Sequence, residues 1–175
     1  MLAAVLAFWM VGAYNRLVGL RSAILAARLR MDEALLLRGA TLAPLVSALR
    51  EPLAAEQGAL DALLVAHGQA DGASASLRAT AVAAPAAAAD WVKSEAALAS
   101  AASRVLALLE QNLELRMDEA VAALVSTWIE SQAQLGFARQ LFDAAALAYN
   151  EALAQFPTRL LARLFGFGAA GRISP

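Results

Sequence analysis

Few side chains in this sequence could do chemistry. The one histidine, His67, excludes any site that needs two imidazoles. The absence of cysteine excludes thiolate nucleophiles, thiolate metal sites and a disulfide framework. A di-metal helical bundle would need Glu-x-x-His pairs, but Leu64 stands three residues before His67, so this side chain reads as a satisfied or surface histidine. Glu110, Glu114 and Asp118 recur at intervals of four and share a helix face. No second acidic cluster completes an acid–base or metal set with them, and beside Arg116 they read as a solvated face. Neither a phosphate-cradling glycine loop nor a nucleophile elbow is present. These residues predict no enzyme, no cofactor and no metal.

Glu56 is the acid whose position most needs explaining. It falls in a d-type slot between Leu49/Leu53 and Leu60/Leu63, which points it toward a helical core. A buried carboxylate is costly without hydrogen-bonded or cationic partners. Counting turns from the first interhelical connection brings it level with Arg21 and Arg28, and on the last long helix with Gln132 and Arg139. The expectation is a polar layer of these five residues that fixes helix register, a structural role rather than a chemical one.

The elements that would carry these residues follow from composition. Of 175 residues, 47 are Ala and 31 are Leu, both strong helix formers, whereas Val and Ile together number 13. The hydrophobic share of 61% is inflated by Ala; without it, larger apolar residues make up about a third of the chain, an ordinary core allotment. An all-α chain with one sizeable core is expected. With 14 basic and 15 acidic residues the net charge is −1, so nothing favours a nucleic-acid partner.

Period-seven patterns locate the helices. Val121, Trp128, Leu135, Phe142, Tyr149 and Phe156 recur without a break, and Leu124, Ser131, Ala138, Ala145 and Ala152 follow three residues behind the first five. Met10, Leu17, Ile24 and Met31, with Ala13, Leu20, Ala27 and Ala34, repeat the pattern near the start. Large knobs beside small residues allow close helix approach in a left-handed supercoil. The spacing predicts a first helix over about 2–37, ended by Gly39, and a second over about 42–67, capped by Thr41, with Pro44 in its first turn and Pro52 kinking or splitting it. Residues 68–85 read as a long mobile connection. A third helix is expected over about 86–113 and a fourth over 118–156, stopped by Pro157 and followed by a short amphipathic piece at 158–165. Such helices with moderate connections give an antiparallel up-and-down four-helix bundle with coiled-coil-like packing.

The N-terminal stretch MLAAVLAFWMVGAY carries no charged side chain before Arg16. Fourteen helical residues reach only about 20 Å, short of a hydrocarbon core of about 30 Å, but residues 1–20 approach that length if Arg16 snorkels. Trp9 and Tyr14 suit a membrane interface. The alternative is an apolar helix end buried in the bundle; a signal peptide is disfavoured by the missing basic leader. If the segment spans, Arg16, Arg21, Arg28, Arg30 and Arg38 leave the N-terminus outside and the bundle in the cytoplasm. At the other end Arg159, Arg163, Phe165 and Phe167 mix cationic and apolar character as an interfacial helix does; the alternative is a cap on the bundle core.

Both ends carry a family resemblance. Tyr14-Asn15-x-Leu17-Val18-x-Leu20-Arg21 follows the apolar leader; Phe137-Ala138-Arg139-Gln140, Tyr149-Asn150, Phe156-Pro157 and Leu164-Phe165-Gly166-Phe167 stand in matching order at the end. Together they resemble the LemA family of bacterial membrane-anchored proteins. The stretch between departs from the family pattern: Ala40-Thr41-Leu42-Ala43-Pro44-Leu45 and Asn112-Leu113-Glu114-Leu115-Arg116 replace its usual motifs. The resemblance implies a short anchor at 1–20, a helical bundle over 14–156 and an amphipathic segment at 157–175. It also implies a bacterial inner-membrane location with a single pass, and no established catalytic activity. The expected function is a non-enzymatic scaffold or interaction module on the inner face of that membrane. Its partners would be the bilayer and an unidentified protein, with a homo-oligomer left open. The rival reading is a soluble helical adaptor or dimerisation module whose N-terminal segment is buried.

Overall fold

The computed structural model describes residues 2–80, 82–156 and 158–173, without the side chains of residues 2–7, 161 and 163. It is all-helical over those residues: α1 (Leu2–Leu49), α2 (Gln57–Arg78), α3 (Pro85–Gln111), α4 (Leu113–Met117), α5 (Glu119–Ala154) and α6 (Thr158–Phe165). A 3₁₀ turn, Ala54–Glu56, precedes α2.

Backbones approach most closely within two helix pairs, α1 with α5 and α2 with α3. Buried Ala27 and Ala34 of α1 and Ala138, Ala146 and Ala152 of α5 explain the first pair, and buried Ala59, Ala66, Ala88 and Ala102 the second: a methyl side chain lets helix axes come together. The α1–α5 pair is antiparallel, since Arg16 Nη1 donates to Gln155 Oε1 at 3.0 Å at its lower end. Large side chains fill the core shared by these helices. One apolar cluster gathers Leu17, Ile24, Met31, Leu77, Trp91, Leu135, Phe142 and Tyr149. The other gathers Leu42, Leu49, Leu60, Leu63, Leu98, Val105, Val121 and Trp128.

Three expected boundaries differ from those observed. First, α1 runs through Gly39 and Thr41 without a break and takes in Pro44. Glycine terminates a helix when its φ is positive, and Gly166 is the one described residue with that conformation. Leu35, Leu42, Leu45 and Leu49 are all buried, so the apolar stripe continues and holds the helix together. Pro44 lies on its exposed side, where the carbonyl freed by the missing N–H can meet water. Thr41 Oγ1 donates to Leu37 O at 2.9 Å instead of capping. Second, the first turn falls around Pro52, after α1 ends. Third, α2 extends to Arg78, so most of the stretch expected to be a mobile connection is helix. Its residues are small because they face a close neighbour: Ala70, Ser74 and Leu77 are buried at helical spacing.

The hexapeptide Leu-Arg-Met-Asp-Glu-Ala shows how context decides. At 29–34 it lies inside α1, where Asp32 pairs with Arg78 at 2.9 Å. At 115–120 it breaks, and Asp118 instead caps α5, accepting from Ala120 N at 2.8 Å and Val121 N at 3.0 Å. An acidic N-cap satisfies otherwise orphaned amides and complements the helix dipole. Asp118→Ala should therefore lower stability by about 1 kcal/mol in denaturant titration, while Asp32→Ala, losing a half-exposed pair, should cost less.

Candidate functional site

The two apolar clusters are separated by a polar level. Arg38 is fully buried between Leu35 and Leu42 of α1, and Glu95, 7% exposed, lies between Trp91 and Leu98 of α3. Arg38 Nη1 donates to Glu95 Oε2 at 2.7 Å and Nη2 to Oε1 at 2.8 Å, a two-pronged ion pair. A cavity of about 240 Å³ adjoins the pair, lined also by Trp128, Gln132 and Arg139.

Of the expected polar layer, the structure brings Gln132 and Arg139 to this cavity but not Glu56, Arg21 or Arg28. Glu56 ends the 3₁₀ turn beside the first connection, because the helix expected to carry it inward starts only at Gln57. Arg28 donates to the carbonyls of Leu77 at 3.3 Å and Thr80 at 2.8 Å, and so seals the end of α2. Arg21 lies further down α1. Arg38 and Glu95 escape a reading that ends the first helix at Gly39. Stepping by seven beyond Met31 reaches Arg38 and then Leu45, and Ala88, Glu95, Ala102 and Leu109 form an equivalent series on α3.

Arg139 also serves the C-terminal tail. Its guanidinium lies 4.9 Å from the ring centroid of Trp91, and Nη2 donates to Ile173 O at 2.9 Å. Asn150 holds the tail from both sides: Nδ2 donates to Ala170 O at 2.8 Å, and Oδ1 accepts from Ala170 N at 2.9 Å. Asp143 Oδ1 accepts from Ile173 N at 2.7 Å. Gly171 N donates to Ala83 O, which ties the tail to the α2–α3 link. A Cβ at Gly171 would lie 2.6 Å from Ala88 Cβ and 2.9 Å from Pro85 Cα, so only glycine fits there.

The lower end is aromatic and cationic. Residues 8–16 are exposed apart from the half-buried Ala13, with Phe8 at 82%. Trp9 meets Phe156 edge-on at 5.3 Å, and Tyr14 contacts Phe165 at 5.6 Å and Phe167 at 6.1 Å. Leu160, Leu164, Phe156 and Phe165 are exposed around them, as are Asn15, Arg16 and Arg159. Tyr149 is buried above this collar; burial raises its phenol above the ordinary value, and the Arg21 charge partly offsets that. Pro157 and the Arg163 side chain lie outside the described residues. Among the described residues no helix is long and apolar enough to cross a membrane; the expected span at 1–20 reaches outside them, since the side chains of residues 1–7 are not included. Among the described residues no group of three His, Cys, Asp or Glu is placed to hold a metal ion. His67 Nε2 instead lies 3.4 Å from Asp71.

Removing one partner of a buried pair strands the other's charge. Arg38→Ala or Glu95→Ala should each cost about 3–5 kcal/mol in denaturant titration, whereas the joint change Arg38→Met with Glu95→Leu should be near neutral. For the tail, Gly171→Ala should unseat it: amide exchange at Ala170 and Ile173 should speed up while α1 and α5 stay protected.

The comparisons with known proteins agree with the C-terminal motifs. No curated protein matches the chain. The LemA family model matches residues 29–172, most of its length, and so includes Arg38, Glu95, Arg139, Asn150 and the tail that they hold, though not Tyr14 or Asn15. The chain belongs to the LemA family.

Proposed function

We propose that this protein is a non-enzymatic scaffold seated on the inner face of a bacterial membrane. Its two helix pairs form an antiparallel up-and-down four-helix bundle, and its aromatic lower end faces the lipid. The observation that carries this reading is the uncovered start of α1: Phe8, Trp9, Met10, Val11 and Tyr14 are all exposed, on a helix whose first buried described side chain is Leu17. An apolar helix end left bare by its own bundle needs another apolar phase. α6 supplies the matching surface, with Leu164 at 77% exposure and Phe165 beside it, while Arg16 and Arg159 offer charges to anionic headgroups. In this arrangement the exposed start of α1, before Leu17, enters the bilayer as the anchor, the N-terminus lies outside, and the opposite end of the bundle is free for a protein partner.

The soluble adaptor with a buried N-terminal segment is the weaker reading, because it needs the bundle to cover those same side chains.

Full-length protein should float with vesicles of phosphatidylcholine containing phosphatidylglycerol. Phe8→Glu with Val11→Glu should weaken that association by at least roughly tenfold without altering the helical circular dichroism signal. A protein that stays at the bottom of the gradient as a freely diffusing species would contradict the proposal.

A further inference from the structure

The lower end also contains a pocket of about 650 Å³, bounded by α1, the α2–α3 link, α5 and the C-terminal tail, and lined by Tyr14, Arg21, Thr80, Tyr149, Phe165 and Phe167 among others. Arg21 is the one charged side chain in its lining. It is half-buried and, among the described residues, has neither a hydrogen bond nor an ion pair. The other buried or half-buried arginines among the described residues, Arg28, Arg38 and Arg139, each find partners at their own levels. The Tyr149 side chain is buried yet makes no hydrogen bond among the described residues, and it is close enough to Arg21 to feel its charge. Thr80 is already committed, since its hydroxyl donates to Leu77 O and accepts from Ala84 N. A cation and a phenol are therefore left to serve an occupant, inside walls made of the rings of Tyr14, Phe165 and Phe167.

We infer that this pocket binds an oxyanion headgroup, a phosphate ester held by the Arg21 guanidinium and the Tyr149 hydroxyl, with its apolar portion against the aromatic walls. Arginine presents several N–H donors in a geometry that matches phosphate oxygens. A phenol hydroxyl adds a donor, and aromatic faces accept an adjoining alkyl or glycerol moiety. The inference rests on the membrane-surface reading for its main source, the phosphodiester of an anionic lipid; a free phosphate ester carries the same recognition chemistry. The pocket also joins sequence features that lie far apart. Tyr14 and Arg21 come from one end of the chain and Tyr149, Phe165 and Phe167 from the other, and the Gly166 turn, at φ 68°, brings the tail across to close it.

The test is isothermal titration of the full-length protein in nonionic detergent with dihexanoyl phosphatidylglycerol, glycerol 3-phosphate and inorganic phosphate. Saturable binding of the short-chain lipid, weakened roughly tenfold by Arg21→Gln and to a lesser degree by Tyr149→Phe, supports a lipid-headgroup site. Equal binding of glycerol 3-phosphate or phosphate with the same Arg21 dependence supports the site with a soluble source. No saturable binding by any probe, or undiminished affinity in Arg21→Gln with Tyr149→Phe also unchanged, overturns it. Flotation of Arg21→Gln separates this from the broader reading: a variant that floats normally but binds no short-chain lipid removes the pocket alone, whereas a wild-type protein that binds the probe but never floats removes the membrane seat alone.

Discussion

A buried charge pair between two apolar clusters constrains the rest of this structure. Apolar packing is non-directional, and helices this rich in Ala and Leu could slide past one another by a heptad at little cost. Arg38 and Glu95 remove that freedom: a one-heptad slip would leave both ions unpaired in a dry core, which is far more costly than an apolar mismatch. Because Arg38 belongs to the α1–α5 pair and Glu95 to the α2–α3 pair, one ion pair sets the level of each helix pair against the other. Leu17, Phe142 and Tyr149 then fall in the lower cluster, and Leu49, Leu60 and Val105 in the upper.

With that register set, the lower end can be built from distant pieces of chain. Asn150, Asp143 and Arg139 are spaced along α5 so as to hold the returning tail, and the tail packs Ile173 into the lower cluster beside Trp91. The tail and α6 place Phe165 and Phe167 against Tyr14. Two residues of the C-terminal motifs, Arg139 and Asn150, thus gain a physical role: they fix the C-terminal strap that closes the lower end.

The sequence was most informative where periodicity is strict. Val121, Trp128, Leu135, Phe142 and Tyr149 are all buried, since a seven-residue repeat keeps one seam inward over the length of α5. Phe156, the last of the series, is exposed because the helix has already ended at Ala154. Elsewhere local and tertiary preferences disagree. Gly39 and Pro44 are helix breakers by propensity, but the buried stripe on either side outweighs them. The Ala- and Ser-rich run after Gly68 looks like a linker in isolation and is instead a helix packed closely on α3. A turn at Gly39 would point Glu56 inward, but the observed turn comes about a dozen residues later, after Leu49. The longer α1 also carries Arg38, which continues the first heptad series beyond Met31. The tail's hydrogen bonds, made by Arg139, Asp143 and Asn150, leave no periodic signal in the sequence.

We propose that the lower end of the molecule lies in lipid while its far end lies in water. The chain has no native cysteine, so single spin labels can be placed without background. Labels at Phe8→Cys and Phe165→Cys, with a reference at Met117→Cys, which is exposed beside the opposite end of α5, should be compared in vesicles for collision with oxygen and with a water-soluble nickel chelate. The account predicts high oxygen and low nickel accessibility at the first two positions and the reverse at the third. Nickel accessibility that is equally high at all three would contradict it.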